Sequence, residues 1–596
     1  MPDPHAEYNK RIENYQRVSS RKEKVHRQIG NLKLAVVAAG LLMAWLSLGK
    51  HSFSAYCLFL PVVFYAALAI WHEAVLRSKA RAESAFAFYK RGIARIEDRW
   101  AGTGETGERF RDPKHNYADD LDLFGRGSLF ELLSTARLPM GEVFLAQWLC
   151  SPSPPAFVLD RQKLVAELRE NVDLRESLAV IGSELRAHLN PESLTRWAEG
   201  KPAMKRRALR GIIAALSILA VGTLALSLAT LTFWPLLAVL IVESLIFGWL
   251  HRSAEAAVSE VSANTEGLIL FSQVLERIGE EHFVSRRLQE FVEELKTDGE
   301  TATHALRKLA RIVYWSEARD SVIGRFLDVT MLYTIQTAFA AEAWRHRRGA
   351  RMRVWIDIVG EMEALLSLAA YSFEHPQDPF PELMQTQNSN PLFDGEDLGH
   401  PLIPAAQCVP NSMRLDERAR LLLVSGSNMS GKSTFLRTVG INAVLANAGA
   451  PIRGKALRLS PVIIGTRIRS SDSLQEGRSN FYTEILRIRQ VFQTINTGRP
   501  LLFLFDELLE GTNSKDRRIG AEGLLRALMD QGAIGIVTTH DLALTKITHS
   551  LGEIAHNAHF QDFVENGEMR FDYKLREGVI AKSNALELMR LIGLKV

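Results

Sequence analysis

Two pairs of long, nearly uncharged apolar stretches constrain the fold of this chain most strongly. The first pair covers residues 34–49 and 52–71, and the second covers residues 211–250, where Glu243 is the only charged side chain. A helix needs about 20 consecutive apolar residues to cross the hydrocarbon core of a bilayer. The pattern therefore predicts two transmembrane hairpins, at 34–71 and 211–250, with four spans in all, of which the first is short.

Basic residues lie outside these hairpins and are nearly absent from their turns. Residues 1–33 are rich in Lys and Arg, whereas Lys50 is the only Lys or Arg in either turn. By the positive-inside rule, this pattern predicts a multi-pass protein of the cytoplasmic (inner) membrane, with the N-terminus, the core and the C-terminal region in the cytoplasm. No cleavable signal peptide is expected, because a second span follows the first directly. A buried hairpin in a soluble protein is the alternative interpretation.

Glu243 lies inside the predicted fourth span. Intramembrane acids are often functional. Because this one lies near a helix end, it is expected instead to snorkel toward the interface or to face a neighbouring helix.

Composition excludes several classes of protein. Lys and Arg total 72 against 68 for Asp and Glu, so the net charge of +4 excludes a histone-like polycation. With 47% hydrophobic and 23% charged residues, the chain is neither disordered nor collagen-like. Cys57, Cys150 and Cys408 are too far apart for a disulfide framework or a zinc cluster. They fit a reducing compartment.

The segments outside the hairpins have helical periodicity up to about residue 385. Residues 72–119 contain the turn signal GTGETG and are predicted to be a cytoplasmic helical connector. Residues 120–210 and 251–385 are predicted to form an all-α core with long lever helices. Residues 326–344 are apolar but contain Asp328 and Glu342, so a buried cytoplasmic helix is expected there and not a fifth span.

A glycine-rich loop follows the apolar run LLLVS at residues 421–425. It has the pattern G-x-x-x-x-G-K-S, in which backbone N–H groups and a helix N-terminus enclose phosphate oxygens. Lys432 is predicted to reach the β- and γ-phosphates, and the Ser433 hydroxyl to bind Mg²⁺. The predicted nucleotide-binding residues of this loop are Gly426, Ser427, Asn428, Met429, Ser430, Gly431, Lys432, Ser433 and Thr434.

Two carboxylates follow a second apolar run, LLFLF at residues 501–505. An all-apolar run of this length predicts a central parallel strand. Asp506 at its end is predicted to bind Mg²⁺, and Glu507 to polarise the attacking water. A third run, at residues 533–539, ends at His540, the predicted γ-phosphate sensor. Together these motifs predict an α/β P-loop ATPase domain that uses ATP and Mg²⁺.

Four motifs occur in an order that resembles the ATPase of the MutS mismatch-repair family, a branch of the ABC-type ATPases. They are GSNMSGKSTFLR, SDSLQEGRSNFYTEI, LFLFDELLEGTNSKD and TTHD. GHPLIP and CVPNSM upstream and YKLREGVIAKSNALELMRLIGL downstream extend the resemblance. The stretch LFGRGSLFELLSTARLPMGEVFLAQWL resembles the opening of the family's helical core domain. The similarity covers about residues 120–200 and 255–596.

The resemblance implies an ABC-type ATPase domain at residues 386–596, with a mixed sheet flanked by helices. It also implies a homodimer in which Ser479 reaches the γ-phosphate held by the other subunit. Asn428 would help to position the nucleotide, and Tyr573 would stack on adenine. Lys432, Glu507 and His540 would serve catalysis.

The sequence departs from the family pattern at several points. Cys408 stands where a Phe usually contacts adenine, and Leu509-Glu510 replaces Gly-Arg after the carboxylates. Only about 30 residues precede the first predicted span, so the mismatch-recognition domain is expected to be missing. DNA binding is expected instead from six basic residues of the helical core: Arg307, Lys308, Arg311, Arg345, Arg347 and Arg348.

These patterns predict a membrane-anchored MutS-like ATPase that is coupled to DNA binding. One alternative is an ABC-type transporter or membrane-remodelling ATPase that binds no DNA. Against it, the signature segment has no LSGGQ-like sequence. A nucleotide-gated scaffold with little turnover is a third interpretation.

Overall fold

The chain forms two compact units, each assembled from several sequence segments. Unit 1 contains Met1–Ile93, Ala136–Gly141 and Asn171–Glu363, and unit 2 contains Ala94–Thr135, Glu142–Glu170 and Ala364–Val596. The structure is a computed structural model. It describes residues 2–49, 54–204, 207–297, 299–317, 331–384, 391–468, 480–497, 499–510, 512–565 and 568–580.

The α-helices account for most of the chain before residue 375. In chain order they are α1 Pro4–Ala44, α2 Phe59–Ile96, α3 Leu129–Leu133, α4 Pro139–Cys150, α5 Pro155–Leu168, α6 Val172–Leu185, α7 Pro191–Glu199, α8 Arg207–Thr230, α9 Trp234–Ser262, α10 Thr265–Gly279, α11 Arg286–Glu294, α12 Ala302–Glu317, α13 Tyr333–Glu374, α14 Lys432–Ala448, α15 Asn480–Gln493, α16 Ser514–Asp530 and α17 Ile547–Leu551.

The β-strands lie almost entirely in the C-terminal part of the chain. They are β1 Lys296–Thr297, β2 Glu300–Thr301, β3 Glu382–Leu383, β4 Phe393–Leu398, β5 Asn411–Leu415, β6 Leu421–Ser425, β7 Ala456–Leu459, β8 Ile463–Arg467, β9 Leu501–Phe505, β10 Ile534–Thr539, β11 Ala555–Glu565 and β12 Glu568–Glu577. A helical N-terminal region followed by α/β structure agrees with the predicted fold class.

Unit 1 is helical apart from the short β1–β2 hairpin. Asp3 caps α1 by accepting hydrogen bonds from the backbone N–H groups of His5 and Ala6, and Pro4 occupies the first turn. By length and composition, four helices of the described residues could cross a membrane: α1, α2, α8 and α9. The most apolar windows of these helices are only 6%, 11%, 28% and 17% buried, in that order. They are therefore not the buried core of this unit.

Glu243 lies in α9 and is buried, with 1% of its surface exposed. Among the described residues, neither carboxylate oxygen has a hydrogen-bond partner. Of the two expectations for this side chain, snorkelling does not match its burial, and an inward orientation does.

The helix expected at residues 326–344 is present from Tyr333 onward, as the start of α13. Ile335, Ala338 and Ala341 in it are fully buried. Residues 318–330 lie outside the described part of the chain.

Unit 2 is built on a six-stranded sheet in the order β12-β11-β6-β10-β9-β8. The neighbours from β11 to β8 are parallel, and only β12 is antiparallel. All five residues of β9 are buried, as the uninterrupted apolar run predicts for a central parallel strand. A second sheet has the order β3-β7-β4-β5.

Unit 2 also includes residues well upstream of position 386. The carboxylate of buried Asp120 accepts hydrogen bonds from the Thr466 hydroxyl, at 2.6 Å, and from the Ile468 N–H. Asp122 forms an ion pair with Arg437 of α14 at 2.8 Å. The later part of the predicted connector, residues 94–119, and the start of the predicted core, residues 120–135, therefore belong to unit 2.

Candidate functional site

The polar motifs of unit 2 meet at one edge of the six-stranded sheet. The glycine-rich loop follows β6, the two carboxylates follow β9, and His540 follows β10. Because these three strands are adjacent and parallel, their carboxyl ends lie side by side. Ligands of open α/β sheets bind at this edge.

The glycine-rich loop has a backbone that only glycine accommodates readily at one position. Gly431 has a φ of +97°, and a Cβ there would lie 3.0 Å from the Tyr573 ring. Met429 also has a positive φ, of 70°, and its side chain is 85% exposed. The loop ends where α14 begins, at Lys432. It therefore presents backbone N–H groups and a helix N-terminus to the space above the sheet.

Lys432 is buried at the end of this loop. Its Nζ donates hydrogen bonds to the carbonyl oxygens of Gly426, at 2.9 Å, and Ser427, at 2.8 Å. Burial lowers the pKa of Lys432, while the carboxylates of Glu507 and Asp506 act in the opposite direction. The buried hydroxyls of Ser427 and Ser430 have no hydrogen-bond partner in the part of the chain that the structure describes. A buried ammonium beside two unsatisfied hydroxyls fits a phosphate-bearing ligand.

Asp506 lies between two hydroxyls. The Ser433 Oγ donates to its Oδ2 at 2.5 Å, and the Thr538 hydroxyl donates to its Oδ1. The Asp506 N–H also donates to the Arg467 carbonyl at 2.8 Å. A carboxylate and a hydroxyl at this spacing are oxygen ligands of the kind that Mg²⁺ uses. The donor set thus fits the predicted metal, with Ser433 and Asp506 as the residues that would hold it.

Glu507, Glu510 and His540 form a cluster beside Asp506. Glu507 has a φ of 49°, and one of its carboxylate oxygens lies 3.4 Å from the Nδ1 of His540. Ligand atoms of the three side chains lie within 4.8 Å of one another. Burial raises the pKa of the Glu510 carboxyl, and the neighbouring Glu507 carboxylate adds to this effect. The replacement of Gly-Arg by Leu-Glu therefore puts a second carboxyl next to Glu507.

A cavity of about 740 Å³ opens over this edge of the sheet. It is lined by the loop residues Asn428, Met429, Gly431, Lys432, Ser433 and Thr434, and by Asp506, Glu507, Glu510, His400, Cys408, Asn411 and Tyr573. Its volume lies in the range of small-molecule sites. Most of the predicted site residues thus line one cavity.

Tyr573 lines this cavity and is 44% exposed, whereas the two phenylalanines of the lining, Phe435 and Phe560, are buried. Its backbone has a φ of 55°, and its carbonyl accepts a hydrogen bond from the Asn411 amide at 3.0 Å. Cys408 lines the same cavity, and its sulfur accepts a hydrogen bond from the His400 N–H. Of these two positions, only Tyr573 offers a ring on which a base could stack.

Ser479 and the rest of the SDSLQEGRS segment lie outside the described residues. The helix after it, α15, begins at Asn480. The structure therefore gives no position for the residue expected to complete the site of a second subunit.

Several supporting residues have no motif of their own and were missed by the sequence analysis. Arg467 donates to the Asp506 carbonyl at 2.9 Å and lies 3.5 Å from the carboxylate of Glu484. Glu484 in turn accepts a hydrogen bond from the Leu509 N–H at 2.8 Å. Thr538 bonds Asp506 from β10. The one sequence signal for Arg467 and Thr538 is that each is a polar residue at the end of an apolar strand, β8 or β10.

His400 makes the stability of unit 2 depend on pH. Burial, together with the charge of Arg437, lowers the pKa of His400 to about 4. The imidazole titrates near 6.5 in an unfolded chain. Between these values the unfolded state binds the additional proton, so stability falls as the pH drops. At pH 5 the loss from this group is about 2 kcal/mol.

Replacing His400 by Asn tests this expectation. The Nδ1 of His400 accepts from the Leu402 N–H, and the Asn oxygen can replace it as the acceptor. We expect the melting temperature of the full chain in detergent to fall less between pH 7 and pH 5 in His400→Asn than in the wild type. The matched control is His549→Asn, at an exposed position. An equal fall in all three proteins would contradict the assignment.

Comparison with known proteins agrees with this geometry. Residues 422–595 match the family model of MutS domain V. The chain is 35% identical over 203 residues to the Endonuclease MutS2 of Thermus thermophilus, which covers 33% of this chain and 25% of that protein. It is 29% identical over 255 residues to the DNA mismatch repair protein MutS of Geobacillus kaustophilus. This match covers 41% of the chain and 27% of that protein. It is 31% identical over 189 residues to the DNA mismatch repair protein MutS of Streptococcus uberis, and this match covers 31% of the chain and 22% of that protein.

The similarity to MutS proteins is confined to part of each chain. This protein spans about a quarter of the length of the curated relatives that it matches. The MutS-like region contains the glycine-rich loop, both carboxylates, His540 and Tyr573. The resemblance seen in the motifs is thus supported for residues 422–595.

Proposed function

We propose that this chain is a membrane-anchored ATPase of the MutS type. It binds and hydrolyses ATP with Mg²⁺ at composite sites formed by two copies of the chain, and it couples this cycle to DNA binding in a mismatch-repair-like transaction. The observation that carries the proposal is the convergence of Lys432, Ser433 and Asp506 in one cavity, within a region that matches MutS domain V.

The residues of the cavity and their polar neighbours Ser427, Ser430 and His540 have separate parts in this proposal. Lys432 and the loop N–H groups bind the phosphates, and Ser427 and Ser430 supply two further donors. Ser433 and Asp506 hold Mg²⁺, which neutralises phosphate charge when it is bound. Glu507 takes the proton of the attacking water, and His540 orients Glu507 and contacts the terminal phosphate. Tyr573 stacks on the base.

The second half of the composite site is assigned to Ser479 of another copy. This assignment comes from the motif SDSLQEGRS, which resembles the MutS family segment with that role. It leaves Glu510, which lines the cavity and is exposed, on the side that a second copy would cover.

Exposed apolar helices support the membrane anchor. Leu34, Leu41, Phe59, Leu60 and Ile70 are between 68% and 75% exposed. A soluble protein rarely leaves so large a contiguous apolar surface in water. Contact of α1, α2, α8 and α9 with lipid chains would remove the free-energy cost of exposing this apolar surface to water.

A second candidate function is that of a membrane transporter or remodelling ATPase that binds no DNA. The burial and ion pairing of the predicted DNA-binding residues favour it. Arg345 is buried, and its Nη2 lies 2.8 and 2.6 Å from the two carboxylate oxygens of Glu342. Arg307 pairs with Glu276 at 2.6 Å, and Arg348 pairs with Glu300 at 3.2 Å. Three of the six predicted positive charges are thus already neutralised. Lys308, Arg311 and Arg347 remain exposed.

ATPase activity of the detergent-solubilised full chain tests the proposal. We expect Mg²⁺-dependent ATP hydrolysis and nucleotide-dependent pairing of two chains. Homoduplex, mismatched and branched DNA are each added to measure whether they stimulate ATP hydrolysis. Failure to bind adenine nucleotides would overturn the proposal.

Salt dependence separates the two candidates. If DNA binds, its affinity should fall steeply with salt, with a slope of about −0.9 per neutralised phosphate. Replacing Lys308 and Arg311 by Gln should then reduce the slope by about 2. A matched pair of exposed basic residues in unit 2, Lys515 and Arg518, is the control. ATP hydrolysis without DNA retention even at low salt would favour the transporter or remodelling ATPase.

A further inference from the structure

A second cavity, of about 710 Å³, lies within unit 1 at the start of α8. It is lined by Pro202, Met204, Arg210, Phe339, Glu342, Ala343, His346 and Arg347. Phe339, Ala343 and Arg347 are four residues apart and therefore share one face of α13. The opposite wall comes from Pro202 and Met204, which precede α8, and from Arg210 near the start of α8.

The cavity has an apolar floor and a basic rim. Met204 and Phe339 are buried, whereas Arg210, His346 and Arg347 are exposed. Such a combination accepts a ligand that has an anionic group attached to an apolar body.

The positive charge of the rim is not compensated by the one acid of the lining. Glu342 accepts from the Arg345 guanidinium and, at 2.9 Å, from the Ala203 N–H, so its charge is already paired. Within the described residues, Arg210, His346 and Arg347 form no ion pair with a carboxylate. An anion that enters the cavity therefore meets unpaired donors.

The position of the cavity indicates the source of the anion. Arg210 is immediately followed by the uncharged stretch of α8, where Ile212 and Ile218 are 53% and 74% exposed. On the proposed topology, this places the basic rim at headgroup level on the cytoplasmic side. Basic pockets at this level bind anionic lipid headgroups. Duplex DNA is too wide for a cavity of this volume.

We propose that Arg210, His346 and Arg347 bind the phosphate of an anionic phospholipid, whose glycerol and acyl portion lies on Met204, Phe339 and Ala343. The proposal rests on the membrane anchor put forward under Proposed function. It adds a specific lipid site to that anchor.

Native mass spectrometry of the full chain in mild detergent tests the site, with phosphatidylglycerol and phosphatidylcholine as probes. We expect phosphatidylglycerol to bind more tightly than phosphatidylcholine. Arg210→Gln/Arg347→Gln should weaken phosphatidylglycerol binding by about tenfold or more, because two charge-assisted hydrogen bonds are lost. The matched control Lys308→Gln/Arg311→Gln removes the same charge from an exposed surface of unit 1 and should leave binding unchanged. Equal losses in both variants, or no preference for phosphatidylglycerol, would overturn the proposal.

Competitors distinguish the possible sources of phosphate. Displacement of phosphatidylglycerol by inorganic phosphate or by a short DNA duplex would overturn the lipid assignment, and resistance to both supports it.

Flotation with vesicles of pure phosphatidylcholine tests the anchor separately. Wild type and both variants should float. If none floats, the membrane anchor itself fails. If all float without a preference for phosphatidylglycerol, only the lipid site fails.

Discussion

Glu507→Gln should abolish most ATP hydrolysis while ATP binding survives. Glu507 follows directly after Asp506 at the end of β9, and its carboxylate lies 3.4 Å from His540. A Gln keeps the size of the side chain but cannot accept a proton from water. Loss of a general base typically costs two to four orders of magnitude in rate, so we expect kcat to fall by about 100-fold or more.

Turnover and nucleotide binding should separate in this variant. On the proposed function Lys432 and the glycine-rich loop hold the phosphates, so the affinity for ATP should change little. The ATP-bound pair of chains should accumulate, because closure is no longer reversed by hydrolysis. Steady-state ATPase assays, fluorescent-nucleotide titration and size-exclusion chromatography measure the three quantities.

Glu553→Gln, at an exposed position outside the cavity, is the matched control for Glu507→Gln. Unchanged turnover in Glu507→Gln would show that Glu507 is not the catalytic carboxylate. Glu510, which lines the same cavity, would then be the next candidate.

Breaking the buried ion pair between Arg95 and Glu374 should cause the largest loss of stability. The guanidinium makes two hydrogen bonds to the carboxylate, at 2.6 and 2.5 Å, and the side chains are 3% and 0% exposed. Glu374→Gln leaves a buried guanidinium without its counter-charge. Removing one partner of a buried pair costs about 3–5 kcal/mol. We expect the melting temperature to fall by on the order of 5–10 °C.

A double-mutant cycle identifies the cause of this loss. Replacing both partners, as Arg95→Met/Glu374→Leu, should cost less than either single change, because no charge is then left unpaired. The exposed pair of Arg353 and Glu199 has the same two-bond geometry, at 2.5 and 2.9 Å, and serves as the control. Its removal should change the melting temperature little. Additive losses in the cycle would contradict a coupled pair.

Local pattern was sufficient to predict the elements that carry the site. The apolar runs at 421–425 and 501–505 form parallel strands, and the run at 533–539 forms β10. Because parallel strands end at a common edge, the polar residues that follow them had to meet there. The contact between Ser433 and Asp506 is the direct consequence. The MutS resemblance of this region could be stated from the motifs alone.

Contacts between distant residues could not be predicted in this way. Arg345 was expected on a DNA-binding surface, but it is buried against Glu342. Asp120 was assigned to the helical core, but it bonds Thr466 in unit 2. A single sequence gives the charge and periodicity of a residue but not its partner, because the partner is chosen by packing over long chain separations.

The sequence by itself determined the glycine-rich loop, the strands that precede the polar motifs and the apolar helices, since these depend on residue order within about one element. Only the tertiary structure decided which polar groups are paired and which remain open. It paired three of the six predicted DNA-binding charges with carboxylates, and among the described residues it left Arg210, His346 and Arg347 without an ion pair around one cavity. The physical reason is that the cost of burying a charge is set by its neighbours in space, which the chain brings together only on folding.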